Sequence, residues 1–179
     1  MRKVTFVTSN QNKADYLSKY LGFSVEHTKI ELDEIQSLDL KEIVKHKVFQ
    51  AYQKIKTPVI VEDVSLEFEA LGSLPGPFIK YFVENMPLKN ICALINGENR
   101  NATARCVIGY FDGVEIKLFE GSLTGRIAKV PGGENGFAWD KIYMPEGYSV
   151  TRAQLSEEDY KKTYLQIKPF EKLKVFLES

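Results

Sequence analysis

The chain has 179 residues, 44% of them hydrophobic and 27% charged, which is enough for one or two small cores and too little for several independent domains. Its 24 Lys and Arg offset its 24 Asp and Glu, so no bulk charge draws it to nucleic acid or to an anionic membrane. An anionic ligand has to be held by a local site.

Residues 4–7 are β-branched and aromatic and read as a buried first strand, and Thr8-Ser9-Asn10 is a turn able to cap a helix over 13–21. A second strand is expected over 25–30, followed by an acidic, irregular loop over 31–36. Leu40, Ile43, Val44, Val48, Ala51 and Ile55 follow helical spacing, and Pro58 closes that helix. Residues 59–61 are apolar in succession, which suits a central strand of parallel type that delivers Glu62 and Asp63 to its C-terminal edge.

Gly72, Pro75, Gly76 and Pro77 make a rigid loop, after which 78–84 and 88–95 read as two short helices. Asp112-Gly113 is a strong turn signal between 102–111 and 114–123, a long hairpin and the best candidate for a second lobe. The Pro131-Gly132-Gly133 loop leads to Gly136-Phe137-Ala138-Trp139-Asp140 and a strand over 141–144. Two helices close the chain, one from near Ser156 and one over 169–177, where Pro169 suits a first helical turn. The expected fold is α/β: one domain over 1–179 with a central mixed sheet flanked by helices, two lobes and a ligand cleft between them.

Cys92 and Cys106 lie in apolar stretches and read as buried thiols of a reducing compartment. The N-terminal apolar run is shorter than a signal-peptide core, and no segment approaches the ~20 apolar residues of a membrane span, so the cytoplasm is the expected location. His27 and His46 lack any partner pattern for zinc or for a serine or cysteine hydrolase.

Three clusters carry chemistry. Thr8-Ser9-Asn10-Gln11-Asn12-Lys13 stands where a strand becomes a helix, so backbone N–H groups, hydroxyls and one ammonium converge there; it is either a phosphate cradle or a plain helix cap with a solvated lysine. Glu62-Asp63 and the loop acid Glu34 offer hard oxygen ligands suited to Mg²⁺, or are solvated surface charge. Phe137-Ala138-Trp139-Asp140 sets two aromatic rings beside a carboxylate, which suits stacking and edge recognition of a nucleobase or a core at a strand start.

In this order the segments resemble the inosine triphosphate pyrophosphatase family over essentially the whole chain. Thr8 to Lys13 is similar to its Thr-Gly-Asn-x-x-Lys motif, Asp33-Glu34-Ile35-Gln36 to its acidic loop, and Val61-Glu62-Asp63 with Ala70-Leu71-Gly72-Ser73-Leu74-Pro75-Gly76-Pro77 to its central motif. Phe137 to Asp140 completes the set. The resemblance implies an elongated, usually dimeric α/β protein that hydrolyses ITP, dITP and XTP to the monophosphate and pyrophosphate with Mg²⁺, as nucleotide-pool sanitation.

Carried over by residue, Thr8, Ser9, Asn10, Asn12 and Lys13 would hold the triphosphate, Lys47 would contact phosphate, and Glu34 and Asp63 would hold Mg²⁺. Asp63 would also orient the attacking water as the base, with Glu62 in support; Val64 lines the site, Phe137 stacks on the base with Ala138 and Trp139 beside it, and Asp140 faces its polar edge.

This sequence departs from the pattern at Ser9, where glycine is usual, and at Val64, where serine or threonine is. An ungapped match places Tyr160 at the family's C-terminal lysine and Tyr164, Leu165 and Gln166 at its Ser-His-Arg triplet, residues used to recognise the 6-oxo group. The alternatives are a nucleotide-binding paralogue with lost or altered catalysis, or a pyrophosphatase for another modified or pyrimidine nucleotide.

Overall fold

Residues 4–7 give a first strand, β1 (Thr5–Val7), and Asn10 caps the helix α1 (Gln11–Leu21), its side chain accepting from Lys13 N. The structure, a computed structural model, describes residues 2–95, 97, 99–136 and 138–179, with Asn12 described in its backbone alone. A short β2 (Glu26–Thr28) and a loop lead to α2 (Leu40–Ile55), capped by Asp39. β2 is shorter than expected because its pairing with β1 covers only Thr5 to Val7.

β3 (Val59–Phe68) is the main departure from expectation. It runs on well past the apolar triplet, so Glu62 and Asp63 lie within the strand rather than at its C-terminal edge. The reason lies in its partners: β1 pairs with Val59 and Ile60, and β4 (Pro75–Gly76) pairs with Leu66 and Glu67 further along. The Gly72 to Pro77 loop therefore contributes a strand.

Next come α3 (Ile79–Asn85), α4 (Leu88–Ala93), the hairpin strands β5 (Asn101–Phe111) and β6 (Ile116–Ile127), and β7 (Tyr143–Pro145). Ala138–Lys141 forms a single 3₁₀ turn before β7. Ser156 caps α5 (Glu157–Ile167), and Pro169 stands just ahead of α6 (Phe170–Glu178). Gly113 makes the hairpin turn at φ +101°, where a Cβ would stand 2.2 Å from the Tyr52 hydroxyl, so only glycine fits.

The seven strands form a mixed sheet in the order β2-β1-β3-β5-β6-β7, with β4 on β3; β1 is parallel to both β2 and β3. Contacts divide the chain into two units, and β3, β5 and β6 each continue from one into the other. The first unit comprises everything up to Asp63, Cys106–Glu120 and Pro169–Ser179. Its core lies under α2, where Leu40, Val44, Val48 and Ala51 pack with Val7, Val59, Val61 and Val107. Within it the connections from β1 lead first to β2 on one side, then through α2 to β3 on the other. The carboxyl end of β1 is thus a topological switch point, where open α/β sheets place their ligands.

The second unit comprises Val64–Arg105 and Gly121–Lys168. Cys92 and Cys106 are both buried, and burial raises the Cys92 thiol pKa. Among the described residues no helix is long and apolar enough to cross a membrane. A feature that the sequence reading missed holds the second unit together: buried Arg100 donates to the carbonyls of Cys92, Ile95, Ile127 and Ala128 at 2.6–2.9 Å. Arg100→Met should lower the urea-unfolding free energy by about 3 kcal/mol or more, since several buried carbonyls lose their donor. Arg105→Met, whose ion pair with Glu67 is part-exposed, should cost under about 1 kcal/mol in the same titration.

Candidate active site

Thr8 to Lys13 occupies the switch point as the β1–α1 turn. Its amides are not all open: Thr8 N donates to Thr28 O, Asn10 N to Thr8 Oγ1 and Lys13 N to Asn10 Oδ1. Thr8 and Lys13 are half-buried, and Ser9 and Asn10 are exposed. The Asn12 side chain lies outside what is described. Lys13 does not stand in solvent alone: its Nζ is 3.1 Å from Glu62 Oε1, a carboxylate whose side chain is 2% exposed.

Next to Glu62, Asp63 meets the loop acid Glu34 on a shared cation. Lys47, on the β3-facing side of α2 and 9% exposed, donates from Nζ to Asp63 Oδ2 at 2.7 Å and to Glu34 Oε1 at 2.5 Å. Gln50 fixes the loop that carries Glu34, accepting from Asp33 N at 3.0 Å and donating to Asp33 O at 3.2 Å; Lys54 adds a bond to Glu31 O. Lys47, Gln50 and Lys54 stand at i, i+3 and i+7, so one face of α2 carries the whole loop. That spacing was visible in the sequence, but nothing there linked it to the acidic loop. His46 contacts Gln50, and His27 is exposed on β2.

Burial opposes the charge on Lys47, but Asp63 and Glu34 outweigh it and hold its pKa above the ordinary 10.5. Val64, next along β3, is half-buried.

The other predicted cluster lies in the second unit. Phe137 lies outside the described residues. Ala138 is exposed, whereas Trp139 is buried edge-on against Tyr143, with ring centroids 5.6 Å apart. Trp139 thus packs among the buried hydrophobic residues. Asp140 is 2% exposed, accepting from Arg152 Nη1 at 2.9 Å and from the Tyr160 hydroxyl at 2.8 Å. Gly136, at φ +72°, lets the backbone pass where a Cβ would stand 2.3 Å from Asp140 Oδ2. Leu165 and Gln166 are exposed and Tyr164 is buried.

The profile of the Ham1 family matches residues 4–176. The chain belongs to the Ham1 family. It is 43% identical over 162 residues to "Inosine triphosphate pyrophosphatase 2" of Trypanosoma cruzi, covering 88% of this chain and 83% of that protein. With "Inosine triphosphate pyrophosphatase" of Schizosaccharomyces pombe it shares 34% identity over 184 residues, covering 100% of this chain and 97% of the relative. The solved Staphylococcus aureus Ham1 protein superposes with a TM-score of 0.78 at 26% identity, over 98% of both chains. A Coxiella burnetii HAM1 protein, at 21% identity, shares the fold with a TM-score of 0.84 over 99% of both chains.

In this Ham1 chain the first unit brings together Lys13 with Glu62, and Glu34, Lys47 and Asp63. The second brings Asp140 together with Arg152 and Tyr160. Arg152 carried no motif, and only its burial and contacts single it out.

A folded-state pKa raised above the unfolded one contributes stability that is fully present below the unfolded value and is lost as pH rises through the folded value. The stability gap between wild type and Lys47→Met should therefore be flat to about pH 10 and shrink above about 10.5, read by urea unfolding across that range.

Proposed function

We propose that the chain hydrolyses inosine, deoxyinosine and xanthosine triphosphates to the monophosphate and pyrophosphate, with Mg²⁺, as one pyrophosphatase domain over 1–179. The observation that carries this reading is the meeting of Glu34 and Asp63 on one compact cation, the Lys47 ammonium. Two carboxylates that already converge on a positive charge form a hard oxygen donor pair, which fits Mg²⁺. Among the described residues no cluster of three or more His, Cys, Asp or Glu adds to them. That small donor set suits an ion that retains waters and shares substrate oxygens. When bound there, the ion would supply charge neutralisation at the phosphates.

The chain's own groups have these roles. The Thr8 to Lys13 turn, at the amino end of α1, binds the polyphosphate through Thr8, Ser9, Asn10, Asn12 and the Lys13 ammonium. Lys47, released from Glu34 and Asp63, turns its charge to phosphate. Asp63 orients a water and takes its proton as that water attacks phosphorus; the anhydride oxygen leaves with the pyrophosphate. Glu62 keeps Lys13 in place. Phe137, Ala138, Trp139 and Asp140 attend the base, and Val64 lines the site.

The names carried by the Trypanosoma cruzi and Schizosaccharomyces pombe relatives support the substrate class. The balanced charge agrees with a partner list of nucleotide alone, without nucleic acid or membrane. The family resemblance supports a homodimer, which sedimentation velocity tests, and the two buried thiols suit the cytoplasm.

With Mg²⁺ and ITP the chain should release IMP and pyrophosphate; release of orthophosphate and IDP would put the cleavage at the wrong bond. Asp63→Asn should cut kcat by about 10²- to 10⁴-fold, the usual contribution of a general base, with the circular dichroism spectrum unchanged. Tight ITP binding without turnover in the wild type would favour a binding paralogue instead.

A further inference from the structure

Arg152 is 3% exposed, in the short turn Arg152–Gln154 ahead of α5. Its Nη1 donates to Asp140 Oδ1 at 2.9 Å and its Nε to Thr163 Oγ1 at 3.3 Å, while Nη2 has no hydrogen-bond partner. It is the buried donor that the fold leaves unused among the described residues. Aromatic rings surround it: the guanidinium carbon lies 4.4 Å from the Tyr160 centroid, 5.8 Å from Trp139 and 5.9 Å from Tyr164.

A purely structural role accounts poorly for this arrangement. A buried N–H without an acceptor is destabilising, and so is taking an ion pair out of water; an apolar side chain in the same aromatic surroundings would avoid both. The fork is nevertheless held firmly, because Asp140 fixes one arm and is itself fixed through its other oxygen by the Tyr160 hydroxyl. What remains is one charged donor of set direction, beside the segment to which the proposed function assigns the base.

We infer that Arg152 selects the nucleobase, its Nη2 donating to an oxo oxygen of the substrate. The inference rests on the pyrophosphatase reading and adds the residue that sets its specificity. A guanidinium carries donors only, so it donates to the 6-oxo group of hypoxanthine or xanthine and meets the 6-amino group of adenine donor against donor. A site built to bond a substrate oxygen rejects the analogue that lacks it, because the site's own polar group is then left unpaired. Nη2 is covered by the fold; the half-buried Tyr160 ring lies on the guanidinium and tilts about its hydroxyl, which stays on Asp140, as the base enters. Exposed Leu165 and Gln166 and buried Tyr164 do not supply this donor, which explains how the chain manages without the family's C-terminal triplet.

The test compares kcat/KM for ITP, ATP and purine riboside triphosphate, which has hydrogen in place of the 6-oxygen. Wild type should favour ITP over both by about 10- to 100-fold, the size of one hydrogen bond to a charged group. The double variant Arg152→Met with Asp140→Asn, which leaves no buried carboxylate unpaired, should bring the ratio of kcat/KM for ITP to that for purine riboside triphosphate down from that factor to about one. Equal losses on all three substrates in a folded variant would overturn the proposal and leave Arg152 as a structural partner of Asp140. If the variant does not fold, the wild type decides: equal kcat/KM for ITP and purine riboside triphosphate overturns the proposal. A wild type that releases pyrophosphate from none of the three removes the pyrophosphatase reading itself, and this inference with it.

Discussion

Glu62 carries a carboxylate almost wholly inside the protein, on a strand flanked by other strands, and an unmatched charge there would cost several kcal/mol. Much of the first unit is arranged around that demand. The amino end of α1 turns so that Lys13 reaches Glu62, and α2 turns so that Lys47 reaches the neighbouring Asp63. Because Glu62 and Asp63 are adjacent on β3, their side chains leave on opposite faces of the strand, and each needs a cation from a different helix. The acidic loop then closes over Lys47 through Glu34, with Gln50 holding its peptide. Five charges and one amide thus tie two helices, a loop and a strand to the carboxyl end of β1.

How far this was legible in the sequence depended on the range of the interaction. Helix α2 was plain, since its apolar spacing and Pro58 are local signals, and so was the turn after Phe111, where Asp112 Oδ1 accepts from the amides of Val114 and Glu115. The length of β3 was not legible. Beyond Val61 two acids stand side by side, which reads as a strand end, and the pairing with Pro75 and Gly76, together with the place beside β5, carries the strand on.

In the candidate site, the residue types of Lys13, Lys47, Glu34 and Asp63 could be read, but not that one ammonium would join both acids, because Glu34 comes from a loop without periodicity. Arg152 was invisible for a related reason. A lone arginine among polar residues looks like surface charge until the aromatic rings around it are placed in space.

The hairpin turn carries a practical corollary. Loop tips are the usual choice for grafting an epitope or opening a chain to make a permuted version, because their residues meet nothing. Here the tip leans on α2, with Gly113 against the Tyr52 hydroxyl and no room for so much as a methyl group. An insertion at that glycine would push the hairpin off the helix that carries Lys47, whereas one residue later Val114 is 94% exposed. Anyone splicing a label into this protein has the exposed Val114 side chain to build on, while the Asp112 carboxylate pins the backbone amides of Val114 and Glu115.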